Sequence, residues 1–334
     1  MSRFLAPGWR SALLALFIFL VLPDFPSALR SVVPITETWV LFAAALAVCA
    51  AFGWWNGGSA WLAIAAILLV WYAGASPVGA GPGSYRTLVH AWTILLAASF
   101  GLVSLLTPNQ RFMLRALSAV GIATAVAFTA AISTPDGVSS VRSVMKTEFN
   151  RRTEETVAAV NDMTTSPMWQ RAVQRNPALD SMVKSNESDL RMIGNRSART
   201  VPALVALESL LALTLAWVIY HRVAPVEIGP RLGTLKEFRF NDQLIWGLAV
   251  GATIFFLPVF ADGKDAGLNL LVFFGALYLV RGVGVLSFMT RSRWAAGLLI
   301  VMTVFAPLML GALALGVGVG DTWMDWRARA QANT

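Results

Sequence analysis

The chain has 334 residues, of which 57% are hydrophobic and 13% are charged, and its formal net charge is +8. Soluble domains are about 45–50% apolar and about 25% charged. The apolar excess comes in blocks of about 20 residues, the length that crosses about 30 Å of hydrocarbon. This composition argues against a water-soluble globular protein and indicates a helical protein that crosses a membrane several times.

The positive charge does not point to nucleic acid, because no compact patch of basic and aromatic residues appears. Most arginines lie in short connections, where cations set topology and meet anionic headgroups. We therefore expect a lipid bilayer around the chain and no nucleic-acid partner. The chain has one cysteine, Cys49, and two distant histidines, His90 and His221. We expect no disulfide framework, no metal site and no bound cofactor.

Nine apolar blocks follow one another along the chain. They cover residues 11–22, 38–55, 58–75, 86–106, 112–133, 201–220, 243–261, 267–289 and 294–320. The first is the weakest, because its 11-residue apolar run after Arg3 and Arg10 also fits a secretory signal peptide. The pattern predicts an all-α, polytopic transmembrane bundle of about eight or nine spans. Whether residues 1–28 form a cleaved signal peptide stays open.

Tryptophans gather near the ends of these blocks. They are Trp39, Trp54, Trp55, Trp61, Trp71, Trp217, Trp246, Trp294, Trp323 and Trp326. Indole rings favour the headgroup layer, where the ring is half buried and its N–H finds a partner. The pattern therefore predicts a tryptophan-rich rim at the membrane surfaces.

The distribution of Lys and Arg in short loops predicts the orientation. With nine spans and a cytoplasmic N-terminus, ten such cations lie inside and five lie outside. The inner ones are Arg3, Arg10, Arg111, Arg115, Arg222, Arg231, Lys236, Arg239, Arg291 and Arg293. The outer ones are Arg30, Arg86, Lys264, Arg327 and Arg329. The side of the C-terminal tail stays open, because eight spans would rearrange one end of the chain.

One long segment, residues 135–199, is polar and carries nearly equal numbers of cationic and acidic residues. Apolar residues recur every fourth position from Val141 to Phe149, which predicts a helix. Pro167 and Pro177 divide the segment into shorter helices. The charge count places it outside the cytoplasm. We expect a solvated helical cap, with a ligand lid or a partner-docking surface as alternatives.

The chain thus divides into N-terminal membrane helices (1–134), the polar insertion (135–199) and C-terminal membrane helices (200–329). Within the last part, residues 231–242 form a charged elbow before the seventh block. Apolar residues recur there at every third position opposite cations, which is typical of a short interfacial helix. A plain cytoplasmic loop is the alternative. Asn241 or Asp242 can cap the helix that follows.

Three stretches of the last part stand out: "TLKEFRFNDQLIWGL", "NLLVFFGALYLVRGVGVLSFM" and "DTWMDWRAR". They resemble the closing part of the YybS-like family, prokaryotic membrane proteins classed as a domain of unknown function (number 2232). The resemblance covers about residues 199–329, and the first five blocks fit only in hydropathy. The family's N-terminal part resembles the substrate-binding S components of energy-coupling-factor vitamin transporters. The resemblance implies a prokaryotic cell membrane and a small-molecule pocket.

Ionisable residues inside apolar blocks are the best functional candidates, because burying one costs at least ~2.5–3.5 kcal/mol on insertion scales. Arg281 lies about 12 Å from the inner end of its helix and can snorkel, form an internal ion pair or contact a ligand. Glu208 is its candidate partner, or a protonated carboxyl hydrogen-bonded within the bundle. His90, one turn below an interface, is a structural histidine or a proton carrier.

Two further sets of residues lie at the end or on one face of a predicted helix. The sequence predicts an ionic cluster at a helix end, formed by Asp321, Asp325 and Arg327. Ala43, Ala47 and Ala51 form a ridge of small residues that lets helices approach closely. S components dock their shared transmembrane subunit through similar alanine ridges, but on their first helix rather than on the second block.

The sequence contains no HExxH, no GxSxG and no paired intramembrane aspartates, so we do not expect an enzyme. Two hypotheses for function follow. The chain is a small-molecule binding or transport component, or it is a non-catalytic scaffold or accessory subunit of a larger membrane protein complex. Its ligand, its partner proteins and its oligomeric state stay open at this stage.

Overall fold

The computed structural model describes residues 9–21, 33–75, 83–176, 178–290, 301–302 and 306–332. Within these ranges the chain is helical and contains no strand. The all-α prediction is therefore confirmed.

The described helices are numbered in chain order. They are α1 (Trp9–Val21), α2 (Thr38–Trp55), α3 (Ala60–Ala75), α4 (Gly83–Leu106), α5 (Phe112–Ile132), α6 (Gly137–Thr165), α7 (Pro167–Arg175), α8 (Ala178–Arg199), α9 (Val201–Val223), α10 (Ile245–Phe256), α11 (Lys264–Met289), α12 (Pro307–Met324) and α13 (Trp326–Ala332). Short 3-10 helices form at Leu235–Glu237, Asp242–Leu244 and Pro258–Gly263.

Six of the described helical segments are long and apolar enough to cross a membrane. They are Thr38–Trp55, Gly83–Leu106, Phe112–Ile132, Val201–Val223, Pro258–Met289 and Pro307–Met324. Shorter apolar helices at Ala12–Val21, Ala60–Ala75 and Asp242–Phe256 correspond to the first, third and seventh predicted blocks. The start of the ninth block lies outside the described residues, as does most of the candidate signal peptide.

The chain divides into two compact units, Met1–Arg231 and Leu232–Thr334. In the first unit α2 and α9 are the most buried spans. They pack against each other, and α2 also contacts α3 and α4. Gly53 makes this approach close, because a Cβ there would overlap the hydroxyl of Tyr220 on α9. The core of the first unit therefore lies around α2 and α9.

The polar insertion is a helical hairpin that belongs to the first unit. Helices α6 and α8 pack together, and Gly194 on α8 leaves room for the side chain of Thr153 on α6. Helix α7 follows α6 after the predicted break at Pro167, and the Ser166 side chain caps it by accepting from the Trp169 N–H. Pro177, the other predicted break, lies outside the described residues.

The predicted tryptophan rim is exposed at most of its described members. The exposed ones are Trp39, Trp54, Trp55, Trp61, Trp71, Trp246 and Trp323, whereas Trp326 is half-buried. Trp294 lies outside the described residues. The prediction for Trp217 is wrong, because this ring is fully buried against Phe100 and Phe112. Its N–H bonds the carbonyl of Pro230 at 3.3 Å, so it finds its partner inside the protein.

In the second unit α10 and α11 run side by side in opposite directions. Gly247 lies beside Phe274, and Gly251 lies beside Leu270. The residue numbers of the contacts therefore increase along α10 while they decrease along α11. Helices α11 and α12 meet closely at Gly282. A Cβ on that residue would overlap the carbonyl oxygen of Ala314.

The elbow at residues 231–242 forms no extended interfacial helix. Its described helical part is the single turn Leu235–Glu237, with a capping box between Thr234 and Glu237. The guanidinium of Arg327 donates hydrogen bonds to the carbonyl oxygens of Lys236 and Phe238, in and just after this turn. Of the short helix that the sequence pattern predicts, the structure shows this single turn.

The capping prediction has a split outcome. The Asn241 side chain caps the short helix that opens α10, accepting from the Gln243 N–H at 3.0 Å. The Asp242 carboxylate instead receives a hydrogen bond from Arg281.

Candidate functional site

A non-helical segment, residues 33–37, runs into the start of α2 and is mostly buried. Ile35 is 3% exposed and Thr36 is 5% exposed. Buried backbone N–H and C=O groups outside a helix need other partners. Side chains from α4, α6 and α9 supply them.

Arg152 on α6 is the first of these side chains. It is fully buried, and its Nη1 donates to the carbonyl oxygens of Val33 at 2.8 Å and Pro34 at 3.3 Å. Its Nε donates to the carboxylate of Glu148 at 2.6 Å. The guanidinium also lies 4.9 Å from the ring centre of Tyr85. This arginine ties the polar hairpin to the segment before α2.

Tyr85 on α4 and Glu208 on α9 complete the contacts. The Tyr85 hydroxyl donates to the Pro34 carbonyl at 3.0 Å and lies 3.3 Å from the backbone N–H of Thr36. The Glu208 Oε2 accepts from the Ile35 N–H at 3.0 Å. We call Tyr85, Glu148, Arg152 and Glu208, together with residues 33–37, the Glu208 cluster.

Several buried polar atoms in this cluster, and on Thr38 and His90 next to residue 37, have no hydrogen-bond partner. They are Glu37 Oε1, Thr38 Oγ1, His90 Nε2 and Glu208 Oε1. Glu208 is 8% exposed and Glu37 is 9% exposed. The His90 Nε2 lies 3.9 Å from the second oxygen of Glu37, beyond a hydrogen bond. Buried polar groups are normally satisfied, so each of these atoms calls for an explanation such as water or a ligand.

The pKa values of Glu148 and Glu37, two carboxyl groups outside the spans, are shifted in opposite directions. Burial alone would raise the pKa of Glu148, but hydrogen bonds from Arg151 and attraction to Arg152 outweigh it and hold the pKa below its usual value. For Glu37, burial raises the pKa, and attraction to Arg86 and Arg152 offsets only part of this rise. One glutamate therefore stays ionised more firmly, whereas the other holds its proton more tightly.

A shallow depression borders the cluster between the start of α4 and the first turns of α6. It is lined by Ser84, Tyr85, Ser143, Val144 and Thr147. Tyr85 is among the lining residues although it is fully buried, and its hydroxyl holds the segment before α2. Hydroxyl groups can orient a small polar ligand.

A second non-helical segment, residues 226–230, is held by side chains in the same manner. Tyr220 donates to the Val226 carbonyl at 3.1 Å, and the fully buried Arg115 donates to the Ile228 carbonyl at 3.0 Å. The two ring nitrogens of His221 lie 2.9 Å from the Trp217 carbonyl and 3.1 Å from the Gly229 carbonyl.

Arg115, which the charge count places in a loop, lies inside α5, its guanidinium 5.4 Å from the centre of the Trp217 ring, and it also donates to the Pro108 carbonyl. A periodic apolar pattern gives no sign of this role, because its other partner is the carbonyl of Ile228, 113 residues away in sequence.

The second unit holds an ionic cluster around Arg281, which is 2% exposed. Its Nε donates to Asp321 at 2.9 Å and its Nη1 donates to Asp242 at 2.5 Å. Arg327 donates to the same Asp321 carboxylate at 2.6 Å. Asp325 pairs with Arg239 nearer the surface, and the hydrogen bonds from Arg239 lower the pKa of Asp325.

Arg281 and Glu208, the pair suggested by the sequence, have different partners in the structure. Arg281 binds aspartates of its own unit, and Glu208 binds the backbone of Ile35. Asp321 and Arg327 form an ion pair, and Asp325 pairs with Arg239 and is also attracted by Arg327. His90 lies near Glu37.

The alanine ridge on α2 is not uniformly buried. Ala43 is fully buried, Ala47 is half-buried and Ala51 is exposed. Small residues therefore pack inside the bundle at one end of the ridge only.

Sequence reasoning missed Tyr85, Glu148 and Arg152. Glu148 and Arg152 lie four residues apart in a polar helix, which usually indicates a solvated ion pair. The one available signal is that both belong to the same helical face as Met145 and Phe149, residues of the apolar stripe. Among the described residues, no group of three or more His, Cys, Asp or Glu side chains is arranged to hold a metal ion.

A bundle of membrane-length helices with a buried polar cluster defines a multi-span membrane protein with a candidate binding site. Residues 32–322 match the family model described as "Predicted membrane protein (DUF2232)". Because the match covers most of the chain, the chain belongs to this family, and the predicted membership in the domain of unknown function is confirmed. No curated protein and no solved structure matches the chain.

Proposed function

We propose that this protein is the small-molecule binding component of a transport system in a prokaryotic cell membrane, and that it is not an enzyme. The observation that carries the proposal is the Glu208 carboxylate, buried on α9 with one oxygen unpartnered. An ionisable group inside a span is costly and is commonly retained for function. The hydroxyl-lined depression between α4 and α6, which shares Tyr85 with the Glu208 cluster, is the place where we expect the ligand to bind.

The proposal includes an orientation. With nine spans and the N-terminus in the cytoplasm, the α6–α8 hairpin lies outside the cell, and the depression opens toward the external medium. A ligand would then arrive beneath α6, the helix that Arg152 ties to residues 33–37. The hairpin then acts as a ligand lid, one of the alternatives that the sequence pattern permits.

Native mass spectrometry of the full chain, purified gently from membranes, tests the proposal. We expect about one small molecule per chain. Val144→Trp should lower this occupancy, because the larger ring fills the depression that Val144 lines. Val138→Trp is the matched control, since Val138 is an exposed residue of the same helix and is not among the lining residues.

Three results would contradict the proposal. These are a wild-type chain that carries no small molecule, an occupancy that the two tryptophan variants change equally, and a stoichiometric protein in place of a metabolite. The last result would favour the scaffold hypothesis.

A further inference from the structure

Glu37 and His90 meet near the starts of α2 and α4. Glu37 is the last residue before α2, and His90 lies about two turns into α4. The Glu37 side chain is buried, the His90 side chain is half-buried, and His90 Nε2 lies 3.9 Å from Glu37 Oε2. This distance fits an ion pair but exceeds a hydrogen bond. The two groups are therefore close enough for one to affect the protonation of the other.

Polar atoms of both residues lack a hydrogen bond. Within the part of the chain that the structure describes, His90 Nε2 and Glu37 Oε1 are buried and have no partner. Buried polar groups are normally satisfied, so this pair calls for an explanation. A proton between Glu37 and His90 provides one, because it turns one of the two groups into a donor that faces an acceptor.

The pair can hold this proton in either of two places. A protonated Glu37 donates to the Nε2 of a neutral imidazole, and an ionised Glu37 accepts from the Nε2 of an imidazolium. With the proton the pair has no net charge, whereas without it the pair carries one negative charge. Burial disfavours an uncompensated charge and so favours the state with the proton.

Charged groups on α4 and α6 act on the pair. Arg86, one turn before His90 on α4, acts on both residues, favouring an ionised Glu37 and opposing a positive charge on His90. On α6, Arg152 favours the ionised Glu37 and Glu148 opposes it. Burial outweighs these charges at Glu37, whose pKa is raised. The carboxyl group therefore takes up a proton more readily than a carboxyl group in water.

Two further titratable side chains hold the segment that ends at Glu37. Glu208 on α9 accepts from the Ile35 N–H at 3.0 Å, and the Tyr85 hydroxyl on α4 lies 3.3 Å from the Thr36 N–H. The backbone just before Glu37 is therefore fixed, which keeps this carboxyl group beside α4.

We propose that Glu37 and His90 form a proton-binding site, in which one proton is shared between Glu37 Oε2 and His90 Nε2. The proton comes from water and returns to it, so no other reactant takes part. Its binding shortens the 3.9 Å separation to a hydrogen bond and so links the start of α2 to α4. This inference goes beyond the proposed small-molecule function and does not depend on it.

The test follows the imidazole nitrogens of the full chain in detergent by nuclear magnetic resonance. The chain has two histidines, so labelling with nitrogen-15 histidine marks two rings, and His90→Gln identifies the signals of His221. Wild type, Glu37→Gln, Glu37→Asp and Glu154→Gln are titrated from about pH 8 to about pH 5, the range in which histidine changes charge. Glu154 is the control, because it is exposed on α6 and pairs with Arg191.

We expect the His90 Nε2 signal of the wild type to pass through a transition in this range. Glu37→Gln should abolish the transition or displace its midpoint by about one pH unit or more, the size of effect of a close charge. Glu37→Asp keeps a carboxyl group and should retain a transition with a displaced midpoint. Glu154→Gln should change nothing. The His221 signals report folding, because that ring contacts the loop after α9.

An equal midpoint in wild type and folded Glu37→Gln overturns the inference, because His90 would then titrate independently of Glu37. A wild-type His90 signal that stays constant over the whole range also overturns it. If the His221 signals show that Glu37→Gln is misfolded, Glu37→Asp decides: a displaced midpoint supports the shared proton, and an unchanged one overturns it. None of these results affects the proposed binding function, which the occupancy measurement tests.

Discussion

At the residue scale, several buried ionic side chains hold non-helical backbone. Arg152 and Glu208 both bond the segment before α2, one through its carbonyl oxygens and the other through an N–H. Arg115 does the same for the loop after α9. Such a contact gives a hydrogen-bond partner both to the charged side chain and to the backbone group. Each of these two groups would otherwise remain unpaired in a low-dielectric interior.

The first prediction concerns Glu148, whose pKa lies below its usual value in the folded protein. A lowered carboxyl pKa stabilises the fold above the unfolded pKa of about 4.3, and that stabilisation is lost as pH falls through the folded pKa. Glu148→Gln should therefore destabilise the protein near neutral pH by about 3 kcal/mol, the lower end of the cost of breaking a buried pair. The loss should shrink on acidification.

Apparent melting temperatures of both chains in the same detergent, measured from pH 7.5 to pH 3, check this. Glu155→Gln is the control, because Glu155 is 42% exposed in its side chain and should cost little at any pH. A difference between Glu148→Gln and wild type that stays constant down to pH 3 would contradict the assigned role.

At the element scale, small residues decide where membrane helices meet. Association of helices in lipid depends on close packing, since the lipid is as apolar as the side chains. Gly282 on α11 meets Ala314 on α12, and Gly53 on α2 meets Tyr220 on α9. The ridge of Ala43, Ala47 and Ala51 shows that small residues in a row are not sufficient, since Ala51 is exposed.

The second prediction tests this packing with two substitutions on the same helix. Gly282→Ala should destabilise the protein by about 1–3 kcal/mol, the cost of overpacking, because its Cβ would overlap Ala314. Gly275→Ala should be neutral or slightly stabilising, since nothing lies within 4 Å of its Cβ position and alanine favours the helix.

Thermal unfolding of the two variants and the wild type in one detergent provides the measurement. If both substitutions lower the melting temperature equally, the close approach of α11 and α12 is not what limits stability.

At the scale of the whole molecule, the chain is a family member with six described segments of membrane-crossing length and three shorter apolar helices. Length and hydropathy identify the segments but do not show on which side of the membrane each loop lies. The distribution of arginines among the loops predicts those sides. One of the arginines in that count, Arg115, is buried in α5 and is not a loop residue.

The third prediction concerns topology. Cys49, the one cysteine of the chain, is 1% exposed and should not react with a membrane-impermeant maleimide. Asp162→Cys, in the hairpin before α9, should label in intact cells. Glu227→Cys, after α9, should label only after permeabilisation.

Arg329→Cys then reports the side of the C-terminal tail, which nine spans place with Asp162. The unmodified chain is the control for background labelling. Labelling of Asp162→Cys and Glu227→Cys from the same side would show that α9 does not cross the membrane.

The sequence by itself determined that the chain is helical, membrane-embedded and interrupted by a polar helical insertion. These properties depend on hydropathy and periodicity, which are local. It also singled out Glu208 and Arg281, because a charge inside an apolar block is conspicuous wherever the block packs.

Only the tertiary structure decided the partners of these charges. Glu208 meets the backbone of Ile35, 173 residues away in sequence, and Arg281 meets Asp321, 40 residues away. No local pattern encodes such contacts, and for Arg152 the sequence offers only its place on the helical face of Met145 and Phe149, since an arginine in a polar helix is ordinarily solvated. The reason is that hydrophobicity acts on each residue separately, whereas a hydrogen bond exists only when the fold brings two particular atoms together.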